Sequence, residues 1–352
     1  MNKIKLAVIF GGMSTEHNVS VVSGTSVIKN LDKDKYEILP LYIDKEGNWY
    51  KYTKDVNEVE ILEIGQEVEE IELLDNYVKE LKTVDVIFPV LHGLYGEDGS
   101  IQGLFELIKK PYVGCDILSS SVCMNKIYTK IVFEKAKINC AKDVIINYID
   151  NKLIYIDDQM NFIESNIDDL DKVVEEKLNY PVFIKPSNSG SSIGVNKANN
   201  KEELDKYIKE AAKYDKEILI EEQIVGREIE CAVLGNNEIK VSNVGEVLSA
   251  DEYYDYDSKY INSESKTVIP ANIDSSISEE IRKTAVKAFK AAHGKGLSRV
   301  DFFVDKNNKI YINEINTLPG FTNISMYAKL WDEKGLKYKD LLDELIDLAI
   351  KK

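Results

Sequence analysis

Cysteine is scarce in this sequence, and its few thiols follow no disulfide or metal-binding pattern. The four cysteines among 352 residues are Cys115, Cys123, Cys140 and Cys231, and none has a Cys-x-x-Cys neighbour or a paired histidine. A disulfide framework or a zinc site needs closer and more regular spacing. We therefore expect buried or incidental thiols in a reducing compartment, with a redox or metal-binding role as the minor alternative.

Long hydrophobic runs are also absent. The apolar run at residues 6–10 ends at a Gly-Gly pair, which makes it too short for a signal peptide or a membrane span. The formal net charge of −16 argues against nucleic acid or an anionic membrane as the main partner. We therefore expect a cytoplasmic protein in which local lysines and backbone amides hold any phosphate-bearing ligand.

Strand-like and helix-like segments alternate at the beginning of the chain. Residues 3–10, 36–42 and 84–91 have the apolar composition of buried strands, and helical patterns lie between and after them. This alternation predicts an α/β fold with a parallel sheet and helices on both faces. A chain of this length exceeds one ordinary core. The predicted parts are an N-terminal α/β domain at 1–115, a central subdomain at 116–220 and a C-terminal subdomain at 221–352.

A β-hairpin is predicted near the C-terminus. Residues 298–316 read as two strands of aromatic and β-branched residues around a two-residue Asn-Asn turn of type I′. In that register Asp301 pairs with Glu314, and Arg299 pairs with Asn316. Because side chains alternate along a strand, all four project from the same face.

The polar face of this hairpin predicts a metal site. Two carboxylates that face each other repel, and Mg²⁺ accepts the oxygen ligands that Asp301, Glu314 and Asn316 offer. Arg299 would be available to stabilise developing negative charge. A solvated polar face on an edge hairpin is the alternative, and a three-residue loop would break the predicted register.

A loop of small residues follows a predicted strand in the middle of the chain. Lys185 ends the strand, and residues 187–195 contain four serines and two glycines. Backbone amides and hydroxyls in such a loop can bind an anion, towards which Lys185 would point. The loop lacks the Gly-Lys-Ser/Thr ending of a P-loop. A flexible surface loop is the alternative.

Two further segments could contact a nucleotide. Lys126 lies in a predicted helix after a run of serines, although a single helical lysine is more often solvated. Residues 221–228 join two predicted strands, whose edge could bond adenine while Glu228 binds ribose hydroxyls. An acidic hairpin turn is an equally good interpretation of that segment.

Three more segments could contact a small substrate. Glu16 follows a Gly-Gly turn at a helix N-terminus, where an anion could bind or a carboxylate is favourably placed. His92 follows a strand at the end where open α/β sheets bind ligands, although a structural histidine is equally compatible. Residues 253–260 are rich in tyrosine, which is typical of a lid with Lys259 and Tyr260 pointing inward.

In combination, these segments resemble the D-alanine–D-alanine ligase family of ATP-grasp carboxylate–amine ligases. The matching blocks are, in order, GGMSTEHNVS, LHGLYGEDGSIQG, KPSNSGSSIGV with YYDYDSKY, and RVDFFV with NEINTLPGFTNIS. They extend over most of the chain and are highly specific together. The resemblance implies a three-domain ATP-grasp fold. Two stretches outside the matched blocks depart from it: residues 143–172 are longer and more acidic than expected, and residues 55–80 are also extended.

The resemblance also implies substrate contacts. Glu16 would bind the ammonium group of the first D-alanine, and Arg299 with the Gly320 amide would stabilise the tetrahedral oxyanion. The side chains implied for the second substrate and for locking the lid are His92, Lys259, Ser325, Tyr260 and Ser191.

The remaining implied contacts are with ATP and its metal ions. The residues implied for the nucleotide are Lys126, Lys185, Ser192, Glu221, Ile224, Glu228 and Lys259. Two Mg²⁺ or Mn²⁺ ions would be bound by Asp301, Glu314 and Asn316.

The implied reaction joins two D-alanines into D-alanyl-D-alanine through an acyl phosphate, with ATP consumed, for peptidoglycan synthesis and cell shape. The implied assembly is a homodimer without nucleic-acid or membrane partners. The alternatives are a D-alanine–D-serine or D-alanine–D-lactate ligase of the glycopeptide-resistance type, and a non-catalytic nucleotide-binding protein. Tyr260 and the apolar Met326 after Ser325 favour D-alanine as the second substrate.

Overall fold

The computed structural model describes residues 3–248, 266–322 and 324–352, and these residues form three β-sheets covered by helices. Within those ranges no helix combines the length and apolarity needed to cross a membrane. The α/β class predicted from the sequence is confirmed.

The N-terminal sheet has a parallel centre. Its strand order is β4-β3-β2-β1-β5, and β1 pairs in parallel with both β2 and β5. The predicted parallel pairing is confined to β1, β2 and β5. The edge strands β3 and β4 are antiparallel to their neighbours, and only β2 and β3 are joined by a short connection. The strands are Ile4–Gly11 (β1), Tyr36–Ile43 (β2), Trp49–Tyr52 (β3), Ile71–Leu73 (β4) and Val86–Val90 (β5).

Helices cover both faces of this sheet, as predicted. Alternate side chains of β1 enter two different hydrophobic clusters, one with Leu6 and Val8 and the other with Ala7 and Ile9. The first cluster includes residues of the helix after β1, and the second includes residues of the other two helices. The helices are His17–Asn30, Tyr77–Thr83 and Ser100–Leu107.

The central sheet is antiparallel throughout. Its order is β10-β9-β11-β6-β7-β8, and the helices Ile167–Lys177 and Lys201–Ala211 contribute to its core. The predicted division at residue 220 falls within β11. The strands are Asp143–Ile149 (β6), Lys152–Ile156 (β7), Phe162–Ser165 (β8), Val182–Pro186 (β9), Asn196–Ala198 (β10) and Glu217–Glu222 (β11).

The C-terminal sheet, also antiparallel, has the order β14-β13-β12-β15-β16. Its strands are Gly226–Gly235 (β12), Ile239–Leu248 (β13), Lys266–Val268 (β14), Gly296–Asp305 (β15) and Ile310–Asn316 (β16). The remaining helices are Ile117–Met124, Lys126–Lys135, Ser275–Ala291, Met326–Glu333 and Tyr338–Ile350.

The β15–β16 hairpin has the predicted pairs but not the predicted turn. Asp301 pairs with Glu314 and Arg299 with Asn316, as expected. The loop closed by Asp305 and Lys309 has three residues instead of two, and a bulge between Asp301 and Phe302 restores the pairing beyond it. The loop and the bulge each add one residue, so their effects on the register cancel.

The last helix, Tyr338–Ile350, packs against the N-terminal sheet. Its leucines share a hydrophobic cluster with residues of β1 and β5. At the edge of this contact Asp343 accepts a hydrogen bond from the Tyr36 hydroxyl at 2.9 Å and pairs with Lys35. The two ends of the described chain therefore share one core.

Candidate functional site

Loops, strands and helices from all three parts of the chain surround a cavity of about 330 Å³. Residues from each of the four matched sequence blocks line it. The predicted site residues among the lining are Glu16, His92, Lys126, Ser191, Arg299, Glu314, Asn316, Gly320 and Ser325.

The other predicted residues lie outside this lining. Lys185 and Glu221 form a neighbouring ion network, and Asp301 is buried beneath the cavity wall beside Arg299. Ser192, Ile224 and Glu228 are not among the lining residues either. Lys259 and Tyr260 lie outside the described residues.

Glu16 lies at the meeting point of three loops. The Ser191 hydroxyl donates a hydrogen bond to Glu16 Oε1. Glycines make this approach possible: a Cβ atom would come within 2.6 Å of Glu16 Oε2 at Gly93 and within 2.8 Å at Gly190. The predicted contact between Glu16 and Ser191 is therefore present, whereas its predicted third member, Tyr260, is not described.

The small-residue loop is anchored at its base and strained at its tip. The Lys126 backbone N–H donates to Ser187 O at 3.0 Å, and Lys126 Nζ donates to Ser189 O at 2.5 Å. Ser191 and Ser192 have φ values of 50° and 59°, a left-handed conformation that serine rarely adopts. Such strain is common where a loop binds a ligand.

Arg299 is the centre of a buried charge cluster. Its Nε and Nη2 atoms donate to the two carboxylate oxygens of Asp301 at 2.8 and 2.7 Å, and Nε lies 3.1 Å from Glu230 Oε2. Burial opposes the charged form of Arg299, but the nearby carboxylates outweigh it and raise its pKa. Arg299 therefore carries a fixed positive charge at the cavity wall.

The donor set beside Arg299 suits a hard cation. Asn316 Nδ2 donates to Asp301 Oδ2 at 3.0 Å, which leaves the amide Oδ1 atom as an acceptor. Asp301 and Glu314 are cross-strand partners, so their carboxylates lie on the same side of the sheet. Two carboxylates and one amide oxygen are ligands of the kind that Mg²⁺ binds.

A second charge network holds Glu221. Lys185 Nζ lies 2.5 Å from Glu221 Oε2, and Lys130 Nζ lies 2.5 Å from Oε1. Lys130 also pairs with Asp143 at 2.9 Å. Burial would raise the pKa of Glu221, but the two lysines outweigh it and lower this pKa to about 2. Burial dominates at Asp143 and raises its pKa. The ionised form is therefore better stabilised at Glu221 than at Asp143.

His92 is buried with both ring nitrogens engaged. Nδ1 lies 3.0 Å from Leu318 O, and Nε2 lies 3.0 Å from the Ser23 hydroxyl. Burial lowers the pKa of His92, so the neutral ring donates from Nδ1 and accepts at Nε2. The predicted substrate contact is therefore limited, because neither nitrogen is available without breaking a buried hydrogen bond.

Sequence reasoning missed several polar side chains around the cavity. Glu97, Glu230 and Lys329 all line it. Glu97 lies within one of the matched blocks, and Glu230 alternates with Glu228 along β12, so both could have been considered. Burial and the nearby Glu16 raise the pKa of Glu97. Lys329 lies one helical turn after Ser325, and this spacing indicates that both side chains lie on the same face of the helix.

Two protein-family models match this chain. The model described as D-ala D-ala ligase N-terminus matches residues 5–115, and the model described as D-ala D-ala ligase C-terminus matches residues 153–347. A D-alanine–D-alanine ligase B of Clostridium tetani is 52% identical over 99% of this chain and 94% of its own length.

Solved structures are similar over nearly the whole chain. The VanG D-Ala:D-Ser ligase from Enterococcus faecalis is 37% identical, with a TM-score of 0.84 over 99% of this chain and 100% of that one. A Bacillus anthracis D-alanine–D-alanine ligase complexed with ATP is 27% identical, with a TM-score of 0.75 over 99% of this chain and 98% of that one.

Proposed function

This chain belongs to the D-alanine–D-alanine ligase family, and on that premise we propose that it is an ADP-forming ligase that joins two D-alanines. It has the ATP-grasp fold of that family, and its product, D-alanyl-D-alanine, serves peptidoglycan synthesis. The observation that carries the proposal is the convergence of residues from all four matched sequence blocks on one cavity.

The proposed reaction has two steps. A carboxylate oxygen of the first D-alanine attacks the γ-phosphorus of ATP, ADP leaves, and an acyl phosphate forms. The amine of the second D-alanine then attacks the acyl carbon, and phosphate leaves as the amide bond forms and the amine loses a proton. Glu16 would bind the first ammonium group. Arg299 and the Gly320 N–H would stabilise the tetrahedral oxyanion, because both lie at the cavity wall.

Nucleotide binding is assigned to the region between the small-residue loop and β11. Lys126 and Lys185 would neutralise phosphate charge, with Ser192 in the loop that closes over it. Glu221, Ile224 and Glu228 would frame adenine and ribose. The ionised state of Glu221 supports this assignment, because a carboxylate accepts hydrogen bonds from the adenine amino group.

The second D-alanine is assigned to the end of the cavity lined by Gly320, Ile324, Ser325 and Met326. Ser325, with Lys259 from the tyrosine-rich segment, would bind its carboxylate. Tyr260 would complete a hydrogen-bonded set with Ser191 and Glu16 and exclude water from the acyl phosphate. The Ser191–Glu16 hydrogen bond supports this arrangement.

Metal ions, assembly and location complete the proposal. Asp301, Glu314 and Asn316 would hold two Mg²⁺ or Mn²⁺ ions, which supply charge neutralisation at the transferring phosphoryl group. We propose a cytoplasmic homodimer. The division of each chain at residues 115 and 220 is also a proposal.

The test is ADP release with D-alanine as the only amino acid, combined with chromatography of the product. We expect D-alanine-dependent turnover and D-alanyl-D-alanine. Parallel reactions with added D-serine or D-lactate test the alternative second substrates. A mixed product made in preference to D-alanyl-D-alanine would overturn the choice of D-alanine, and no amino-acid-dependent ADP release would overturn the ligase function.

A further inference from the structure

Residues 318–321 follow β16 and line the cavity through Leu318, Pro319 and Gly320. We call them the oxyanion segment, because the Gly320 N–H is the proposed oxyanion donor. The segment has no regular secondary structure, so side chains must fix its position.

Three side chains from the first hundred residues bind the backbone of the oxyanion segment. The Leu318 carbonyl accepts from His92 Nδ1 at 3.0 Å, and the Leu318 N–H donates to Glu97 Oε1 at 3.1 Å. The Phe321 N–H donates to the Ser23 hydroxyl oxygen at 3.3 Å. Backbone groups on both sides of Gly320 are therefore held by the N-terminal part of the chain.

The three side chains also constrain one another. The Ser23 hydroxyl donates to His92 Nε2 at 3.0 Å, and Glu97 Oε2 accepts from the Gly93 N–H at 2.7 Å. Ser23 is fully buried and His92 is 4% exposed. Water cannot readily replace a hydrogen bond lost at such depth, so each bond restricts the segment strongly.

We propose that Ser23, His92 and Glu97 form a clamp that positions the Gly320 amide for the transition state. Ser23 and Glu97 are positioning residues in this clamp, since they act through Leu318 and Phe321. His92 has the same role, because its ring nitrogens contact Ser23 and Leu318. The catalytic consequence rests on the proposed function. The clamp itself is a property of the folded chain, and the two can be tested separately.

The first experiment measures steady-state kinetics of Ser23→Ala, Glu97→Ala and Glu97→Gln. A preorganised oxyanion donor contributes mainly to kcat, so we expect Ser23→Ala and Glu97→Ala to lower kcat by about tenfold or more. The affinity for a non-hydrolysable ATP analogue, measured by calorimetry, should stay within about twofold. Glu97→Gln keeps one amide acceptor and should recover part of the kcat that Glu97→Ala loses.

Thr25→Val is the matched control. Thr25 lies on the same helix as Ser23, is equally buried, and accepts the Leu62 N–H at 3.1 Å, but Leu62 does not line the cavity. Loss of the Thr25–Leu62 hydrogen bond should lower the free energy of unfolding and leave kcat unchanged. If Ser23→Ala and Thr25→Val had the same kcat, the proposed effect on catalysis would be wrong.

The second experiment needs no turnover. Hydrogen exchange of a peptide covering residues 317–322 should accelerate by about tenfold or more in Ser23→Ala, but not in Thr25→Val. Unchanged exchange in Ser23→Ala would refute the clamp even in a fully active enzyme. If exchange were faster in Ser23→Ala while the wild-type protein showed no D-alanine-dependent turnover, the clamp would stand and the proposed function would be refuted.

Discussion

Asp301 is buried and Glu314 is partly buried, and their two carboxyl side chains share one face of the hairpin. Asp301 is 3% exposed, yet only Arg299 and Asn316 among the described contacts offset its charge. Two carboxylates are seldom placed face to face without a cation. Single substitutions at this pair should therefore affect metal binding more than folding.

We predict that Asp301→Asn and Glu314→Gln each raise the Mg²⁺ concentration for half-maximal activity by about tenfold or more and lower kcat. Each change removes a charged oxygen ligand. Mn²⁺ binding, measured by electron paramagnetic resonance, should weaken in parallel. Asp305→Asn is the control, because Asp305 lies on the same strand but caps the exposed turn. Normal Mg²⁺ dependence in both site variants would exclude the metal site.

Single residues also mark the limit of sequence reasoning. Glu16 and Arg299 were identifiable because they stand in distinctive local patterns beside a turn and within a hairpin. Lys130 and Ser23 were not, because their importance comes from partners 91 and 298 positions away. A pattern within one segment carries no information about contacts over such separations.

Among secondary-structure elements, the β15–β16 hairpin shows how local spacing defines a face. Ile310, Ile312 and Ile315 are all buried in one cluster, so the spacing changes from two residues to three. A regular strand has a period of two, and the change therefore indicates a bulge. A bulge at this point requires a three-residue loop to keep the same pairs, so the spacing of the isoleucines already argues against the predicted two-residue turn.

The helix Lys126–Lys135 is joined to β6 and β11 by the Lys130 network. We predict that Lys130→Met lowers the free energy of unfolding at pH 7 by about 3–5 kcal/mol, because it leaves Asp143 unpaired and Glu221 with Lys185 alone. Urea unfolding measures the loss. Lys130→Arg keeps the charge and should lose much less, and Lys135→Met at an exposed position of the same helix is the control.

The pH dependence of that loss tests its cause. The pKa of Glu221 is lowered from 4.5 to about 2 in the folded protein, so its stabilisation is complete above about pH 4.5 and declines as the pH falls towards 2. The stability difference between wild type and Lys130→Met should shrink below about pH 4.5. A difference that stayed constant from pH 7 to 3 would show that Lys130 acts through packing instead.

At the scale of the whole molecule, residues from all three parts of the chain line the cavity. Ligands that fill it should connect the parts of the chain and stabilise the folded state. Binding at one hundred times Kd contributes about 2.7 kcal/mol. This contribution is large enough to appear as a shift in the unfolding temperature.

We predict that a non-hydrolysable ATP analogue raises the unfolding temperature by several degrees, and that D-alanine adds a further increment. Glu16→Gln should keep the nucleotide increment and lose most of the D-alanine increment, because it removes the carboxylate proposed for the ammonium group. Differential scanning fluorimetry measures both, and L-alanine is the matched ligand control. A full D-alanine increment in Glu16→Gln would exclude that role for Glu16.

The shared core of the first strand and the last helix has a consequence for biosynthesis. A ribosome completes β1 more than three hundred residues before it reaches the helix Tyr338–Ile350. Until that helix emerges, the apolar surface on one side of the N-terminal sheet lacks part of its cover. The last strand of this sheet, β5, ends at Val90, so the nascent chain must keep the sheet from aggregating during most of translation. A stalled or prematurely terminated chain would expose the same surface to chaperones and proteases.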